Sequence, residues 1–597
     1  MIEEDAVIYP PPGRTKAARR RKRRLRTKSL VFLAALACVL LMVGRGTAQF
    51  VNRLSCEGQP VDINVAVSTD IVTPIQEIAQ VFNRQNHMAD GRCVQVQIDP
   101  ADPAQAAAQI DGQQPNATRQ TINAWIPDST LWVDEVRGTA TGVQSVTPAG
   151  FSVARSPLML VMPAAAAART PALTKFGWRL LLPPSAGGPK SPTDLRVDLP
   201  DPAQSAAGLS TLIEVSRLLG TTKAARLQLT KFAHTAAVTS YFDDPGSLSE
   251  LVSLAAPPLN GDPVTVTTEQ AVLAYDAANP HQPLAAVYPS SSRAQLGTPE
   301  FDYPYVLLAT STQQELAAAN AFGDMLHTSY AASVLRFAGF RSAGKVPGRP
   351  DKFPASYGLD DQMLQVAPGA TAIEAPTVLQ AWNKLSLYSR DLTMVDVSAN
   401  MAKSSSPGDP NYETELSQAA SIGLALFANT SNLGLWEFPA PAGSKQAYKN
   451  LMSIGPLPAE VGLLTRRAQL IRINDHFAPT TQTKVALYGT IEAGYKYLLQ
   501  TYRPKFFNAL IVLGSGIENS PGDITGPALL KELTRLYNPA RKVTIIIVIF
   551  GNPPNFPELQ KIAAATNGQA YQITKASEVD AVFYNALARR LCDPSCG

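Results

Sequence analysis

Hydroxyl side chains recur where the sequence passes from an apolar strand-like or loop segment into a helical pattern: Ser68 and Thr69, Ser129 and Thr130, and Ser205. Hydroxyls and free N–H groups at a helix start attract anions through hydrogen bonds and the helix dipole. The same positions are ordinary N-caps. Glu269, in Thr267-Thr-Glu-Gln270, is a helix-start carboxylate that either accepts from a ligand donor or stands in solvent. Trp125 and Trp132 offer rings for stacking on a sugar or peptide, or for core packing. Catalysis needs convergent groups, and few are in register. The five histidines, His87, His234, His281, His327 and His476, show no i, i+4 pair and no metal-ligand spacing. Ser515 lies between glycines, but Leu513 stands where a nucleophile elbow needs its first Gly. No Gly-rich loop precedes a Lys at phosphate-binding spacing. The chain reads as a binder and not as an enzyme.

The elements that would carry these residues alternate between strand and helix. Asp62–Val67 reads as a strand; Ile75, Ile78, Ala79 and Phe82 then mark one helical face, and Val94, Val96 and Ile98 alternate with polar neighbours. That order predicts a β-α-β unit with parallel strands. Ala124–Ile126, Leu158–Met162 and Leu284–Tyr288 supply further strands, and Leu209–Leu219 a helix. Residues 346–375 lose the periodicity and gather Pro347, Pro350, Pro354 and Pro368, which predicts a linker. A second α/β unit follows, with strands at Leu392–Val397, Leu433–Phe438, Asn508–Leu513 and Val543–Phe550. The last is an unalternated, mostly β-branched run that belongs in the middle of a parallel sheet. A helix over Pro557–Ala565, a short strand at Ala570–Ile573 and a helix over Ser577–Arg589 close a doubly wound unit.

A chain of 597 residues with 45% apolar and 17% charged content holds at least two folding units and is not globally disordered. Its net charge of +4 is unevenly placed. Ten Lys or Arg between Arg14 and Lys28 face only Glu3, Glu4 and Asp5, and beyond Arg45 the chain is net acidic. A nucleic-acid reader would need a basic face past this tail, so that class is excluded. The charge-free run Leu30–Val43 after the cations predicts a membrane helix over 29–45, with a cytoplasmic tail over 1–28 and the bulk exported. Gly46-Thr47-Ala48 also offers a signal peptidase its preferred small residues, so retention as a single-pass anchor and cleavage after Ala48 both remain open. In an oxidising compartment the even set Cys56, Cys93, Cys592 and Cys596 favours disulfides. Of three connectivities, Cys56 with Cys93 and Cys592 with Cys596 keep each bridge within one module.

Two resemblances sharpen this. Val65-Ala-Val-Ser-Thr-Asp70, Ala124–Trp132, Ala154–Leu160, Asp201–Gly208 and Val287-Tyr-Pro289 make residues 57–345 similar to the two-lobed extracellular solute-binding proteins of bacteria, particularly the molybdate-type group. Met394-Val-Asp-Val-Ser-Ala-Asn-Met401, Leu433–Phe438, Ala486-Leu-Tyr488, Ile511–Gly516 and Ile562–Gly568 make residues 388–591 resemble the von Willebrand factor A domain. The combination resembles bacterial, actinobacterial-type fusions of the two. It implies an N-terminal transmembrane helix, a two-lobed periplasmic-binding-protein-like domain, a linker over 346–387, a doubly wound, Rossmann-like A domain and a Cys-containing C-terminus over 592–597.

The second resemblance implies a metal-ion-dependent adhesion site for Mg²⁺. Asp396 and Ser398 keep its first two positions, whereas Asn400 replaces a Ser, Val485 the Thr of a second loop and Ser515 the Asp of a third. Thr483 and Glu518 lie out of register. A hard cation wants about six oxygens with carboxylate charge, so this degenerate site is expected to be a structural loop. The first resemblance implies that Ser68, Thr69, Ser129, Thr130, Ser205 and Glu269 ring a cleft for an extracellular small solute, while the A domain meets a protein partner. The alternative is an adhesion or assembly scaffold whose solute cleft is vestigial.

Overall fold

The computed structural model describes residues 59–112, 121–168, 177–183, 195–239, 248, 261–289, 297–343, 366–404 and 406–591. The expected tail, membrane helix, Cys56, Cys592 and Cys596 lie outside these residues. Among the described residues no helix is long and apolar enough to cross a membrane. Cys93 is buried and disulfide-bonded.

The first unit has two sheets. Strand β1 (Val61–Ser68) runs parallel to β3 (Arg92–Ala101) and β4 (Ala124–Ile126), and the sheet is completed by β2 (Met88–Ala89), β12 (Pro304–Leu308) and β5 (Val146–Ser152), in the order β2-β3-β1-β4-β12-β5. The connection between β1 and β3 is the Val72–Arg84 helix, which buries Ile75, Ile78, Ala79 and Phe82 at i, i+3, i+4, i+7. The second sheet is ordered β10-β6-β9-β7-β8, from Leu284–Val287, Ala154–Pro163, Asp262–Thr268, Leu195–Pro200 and Ala237–Thr239 respectively. Short strands β11 (Glu300–Phe301) and β13 (Arg341–Ser342) also pair with β6.

The chain passes between the sheets through the helices that link β12 to β13, and crosses directly at two adjacent points. Only Val153 separates β5 from β6, and only Asp302 and Tyr303 separate β11 from β12. The crossings are tied together, since the Val153 N–H donates to the Tyr303 carbonyl at 2.8 Å. Tyr303 is fully buried at φ +39°, a left-handed conformation a tyrosine adopts only when its surroundings hold it there.

The second unit is one sheet in the order β16-β15-β14-β19-β20-β21, from Lys449–Pro456, Asn432–Phe438, Tyr388–Asp396, Phe506–Gly514, Val543–Phe550 and Gln569–Ile573. All pairs are parallel except the β16 edge, and a small hairpin of β17 (Glu460–Val461) and β18 (Leu464–Thr465) follows that edge. All eight residues of β20 are buried, and they divide by parity. Ile545, Ile547 and Ile549 pack with the helices Leu487–Gln500, Gly526–Leu536 and Phe556–Ala564. Ile546, Val548 and Phe550 pack with Tyr412–Leu426, Arg466–Asn474 and Val579–Ala588. Helices on both faces explain why the run shows no apolar/polar alternation.

The segment expected to be a linker is more than that. Ala367 N–H donates to the Thr298 carbonyl at 2.9 Å, and the Glu374–Leu385 helix buries Val378 and Trp382 in the first unit's core. Val378 and Trp382, at i and i+4, form a helical stripe that the surrounding prolines obscure. The units also touch directly: His234 Nε2 lies 2.7 Å from the Leu426 carbonyl, and the Lys231 ammonium lies 5.0 Å from the centre of the Tyr584 ring.

Candidate functional site

Two cavities meet at the lobe junction. One, of about 250 Å³, lies between the Thr130–Arg137 and Ala206–Leu219 helices, whose Ser129, Thr130, Asp134, Ser210, Glu214 and Arg217 face it. Arg155, Pro299 to Asp302 and the strap 366–370 complete its walls. The other, of about 490 Å³, shares Thr130, Arg155 and Asp302 and extends past Phe151, Ser152, His327 and Ser342. Their combined size suits a small-molecule site.

Ser129 and Thr130 are the expected ligand residues that line these cavities, and both oxygens already have partners within the protein. Ser129 Oγ caps its helix, accepting from Leu131 N at 3.2 Å. Thr130 N–H donates to Asp302 Oδ1 at 2.8 Å, and its hydroxyl donates to Asp302 Oδ2. The helix N-terminus expected to hold a ligand anion therefore holds a carboxylate from the hinge, 172 residues away. The remaining expected ligand residues line neither cavity. Ser68 Oγ donates to Asp70 Oδ1 at 2.6 Å, and the Tyr303 hydroxyl donates to the other Asp70 oxygen. Burial pushes the Asp70 carboxyl up, against the pull of those hydrogen bonds. Thr69 is exposed. Ser205 caps its helix through Gly208 N, and Gly208 packs so tightly that an added Cβ would sit 2.1 Å from the Pro200 carbonyl oxygen.

Glu269 overturns both readings offered for it. It is 0% exposed, accepts from Arg341 Nε at 2.8 Å and Nη2 at 2.6 Å, and accepts from the Tyr288 hydroxyl at 2.5 Å. It belongs to an internal ion pair. Trp125 and Trp132 are core residues.

The groups that do line the smaller cavity are mostly ones the sequence did not single out. Arg155 pairs with Glu300 across the second sheet. Arg217 uses all five of its N–H donors: Nε on Glu374 Oε1, Nη1 on Glu214 Oε1 and the Pro368 carbonyl, Nη2 on Glu374 Oε2 and the Gly369 carbonyl. That hydrogen bonding holds the Glu374 carboxyl down at about 2. Burial raises the Asp134, Glu214 and Glu300 carboxyls, and Asp302 pushes Asp134 further. One sequence signal was available: Glu214 interrupts the apolar run Leu212-Ile213-Glu214-Val215 of a buried helical face.

In the second unit, the donor set does not fit Mg²⁺. Asp396 Oδ1 accepts from Ser398 N at 2.8 Å, and Oδ2 accepts from Ser515 N at 3.0 Å and Ser515 Oγ at 2.6 Å. Both carboxylate oxygens are committed to the loop. Gly514 makes this possible, because a Cβ there would lie 2.3 Å from Asp396 Cβ. Ser398 Oγ caps the short helix through Asn400 N, and Asn400 Oδ1 accepts from the Lys403 ammonium at 3.2 Å, a positive charge at the edge of the would-be cation site. Val485 is buried, Thr483 is exposed and meets Asn519 only through its backbone carbonyl, and Glu518 accepts from Tyr488 N and Ser520 N. Among the described residues no three His, Cys, Asp or Glu side chains group as a metal site.

Residues 63–341 match the family of bacterial extracellular solute-binding proteins. The match spans both sheets and both crossings. Two relatives from Mycobacterium tuberculosis, "Uncharacterized protein MT1884" of strain CDC 1551 and "Uncharacterized protein Rv1836c" of strain H37Rv, are each 23% identical over 620 residues, covering 95% of this chain and 84% of theirs. Among solved structures, iron-bound HitA from Pseudomonas aeruginosa is similar at 12% identity and TM-score 0.38, covering 55% of this chain and 100% of that one. The sulfate-binding protein SubI from M. tuberculosis H37Rv is similar at 18% and 0.34, covering 48% and 88%. A von Willebrand factor type A structure from Catenulispora acidiphila is similar at 16% and 0.25, covering 34% and 43%. The iron and the sulfate belong to those proteins.

Proposed function

We propose that this chain is a non-enzymatic cell-surface binding protein, held by the 29–45 helix, whose first unit captures a small solute at the lobe junction. Its second unit, of the von Willebrand factor A type, offers the loops at its strand ends to a protein partner without a metal ion. The observation that carries the reading is the pair of adjoining cavities at Thr130, Arg155 and Asp302, lined by charged side chains from both lobes. The test is purification of the full chain in detergent followed by mass spectrometry of the denatured protein for a stoichiometric solute. A solute bound at one per chain supports the reading; none from native cells, with no thermal stabilisation by any of a broad solute set, sinks it. The orientation is tested separately. Protease added to intact cells digests the C-terminal half if the bulk is outside, and leaves it untouched if the orientation is wrong.

One observation favours the scaffold alternative. Asp302 and Tyr303 already occupy the first lobe's helix start and Asp70, and the strap 366–370 closes one wall. On that reading the cleft stays shut, and the chain binds partners by its outer surfaces alone.

A further inference from the structure

We propose that the cavity between the Thr130–Arg137 and Ala206–Leu219 helices selects a small organic cation carrying a protonated amine in preference to an oxyanion. The proposal rests on the solute-binding reading and names its substrate class. Four carboxylates line the cavity, Asp134, Glu214, Glu300 and Asp302, against two guanidinium groups, Arg155 and Arg217. An anion would meet this acidic excess with few donors to offset it. All five N–H groups of Arg217 are hydrogen-bonded to the protein, while Arg155, 39% exposed, gives one N–H to Glu300 and keeps the rest of its guanidinium open to the cavity. The helix N-terminus at Thr130, the natural seat of an oxyanion, is filled by Asp302.

A donor, by contrast, meets an acceptor that lacks one. Glu214 is only 2% exposed; its Oε1 accepts from Arg217 at 2.7 Å, but its Oε2 is buried with no hydrogen-bond partner among the described residues. A buried carboxylate oxygen left bare is costly, and an ammonium with three donors relieves it. Asp134, on the facing helix, is half-buried near Asp302; Arg137 offsets part of its charge but no cation reaches it at salt-bridge distance among the described residues. An amine between the two helices would therefore bridge the lobes, Glu214 from one and Asp134 from the other. The adjoining larger cavity leaves room for the rest of the molecule.

The test uses the full chain in detergent at physiological salt, with putrescine and agmatine as amine probes, and sulfate, molybdate and Ca²⁺ as controls, read by thermal shift and calorimetry. The expected result is a saturable upward shift with an amine and none with the controls. Glu214→Gln and, independently, Asp134→Asn each weaken the amine by roughly ten- to a hundredfold, the fold-change for one charge-assisted hydrogen bond. Using two variants guards against one that fails to fold. A shift with sulfate, molybdate or Ca²⁺ and none with the amines overturns the organic-ammonium class and leaves the solute-binding reading standing. Amine binding unchanged in both variants overturns the site. Absence of any shift, together with no co-purifying solute, overturns both.

Discussion

Replacing Glu269 discriminates sharply between a ligand contact and an internal ion pair. Its carboxylate accepts three hydrogen bonds, two from Arg341 and one from Tyr288, and the two partners of the ion pair are 0% and 5% exposed. Glu269→Gln keeps the shape but takes away the carboxylate charge that the buried Arg341 guanidinium pairs with. Removing one partner of a buried pair costs about 3–5 kcal/mol. At roughly 2–4 °C per kcal/mol for a unit of this size, the first unit's melting midpoint should fall by about 6–20 °C. Tryptophan fluorescence follows that unit well, since Trp125, Trp132 and Trp178 are all buried in it. The paired replacement, Glu269→Met with Arg341→Met, removes both charges and should recover most of the loss, because apolar replacement of a whole buried pair is often neutral. A loss under about 1 kcal/mol in Glu269→Gln would mean that the carboxylate is solvated or cleft-facing after all. A double variant no better than the single one would show that the cost comes from packing and not from the lost charge pairing.

Asp396→Asn removes one of the acceptors used by Ser398 and Ser515 and should destabilise the second unit by about 1.5–3 kcal/mol in urea melts, with millimolar Mg²⁺ leaving the parent's midpoint unmoved. Stabilisation of the parent by Mg²⁺ would refute the loop-anchor assignment. Burial pushes Asp391, in β14, from 3.8 up to about 7, against the pull of Arg590 and Arg390. The folded state therefore holds a proton that the unfolded state releases at lower pH. This group's contribution is full below about pH 4 and is lost as the pH rises through about 7. Urea midpoints of the second unit should fall across that window, and Asp391→Asn should flatten the profile; an unchanged slope in the variant would assign the pH dependence elsewhere. Arg217→Ala frees the Pro368 and Gly369 carbonyls and Glu374, so limited proteolysis between residues 366 and 373 should quicken roughly tenfold, and equal rates would mean the strap is held by other contacts.

Much of the fold was legible because its signals are local. Val543–Phe550 is the same strand in sequence and structure, since eight buried residues with helices on both sides leave a run that nothing else mimics. The Ile75, Ile78, Ala79, Phe82 face likewise became the buried face of its helix. The β16 edge was not read. Its Lys449-Asn-Leu-Met-Ser-Ile-Gly-Pro456 is half polar, as an edge strand needs only one covered face. The site was legible only in part. Ser129 and Ser205 sit at helix starts, where the sequence put them, because capping is decided by neighbours two or three residues away. What each hydroxyl or carboxylate meets across space is decided elsewhere. Asp302 reaches Thr130 over 172 residues, and Arg341 reaches Glu269 over 72. No periodicity carries that information, so Glu269 could be read only as a ligand acceptor or a solvated carboxylate.

The same long-range contacts change how the two units relate. Arg217 lies on a helix lining the cavity, and four of its five donors go to the strap carbonyls in the cavity wall and to Glu374 behind it. Glu374 opens the helix that buries Trp382 in the first core, and that helix ends at Leu385, three residues before β14. There Arg590, from the far end of the second unit, donates to the carbonyls of Leu385 and Leu387. The path from cavity wall to central sheet thus runs through charge-assisted hydrogen bonds and a packed helix, with no free tether along residues 366–388. A flexible linker would let each unit bind in ignorance of the other. This one is fastened at both ends, by Arg217 at Glu374 and by Arg590 at Leu385 and Leu387.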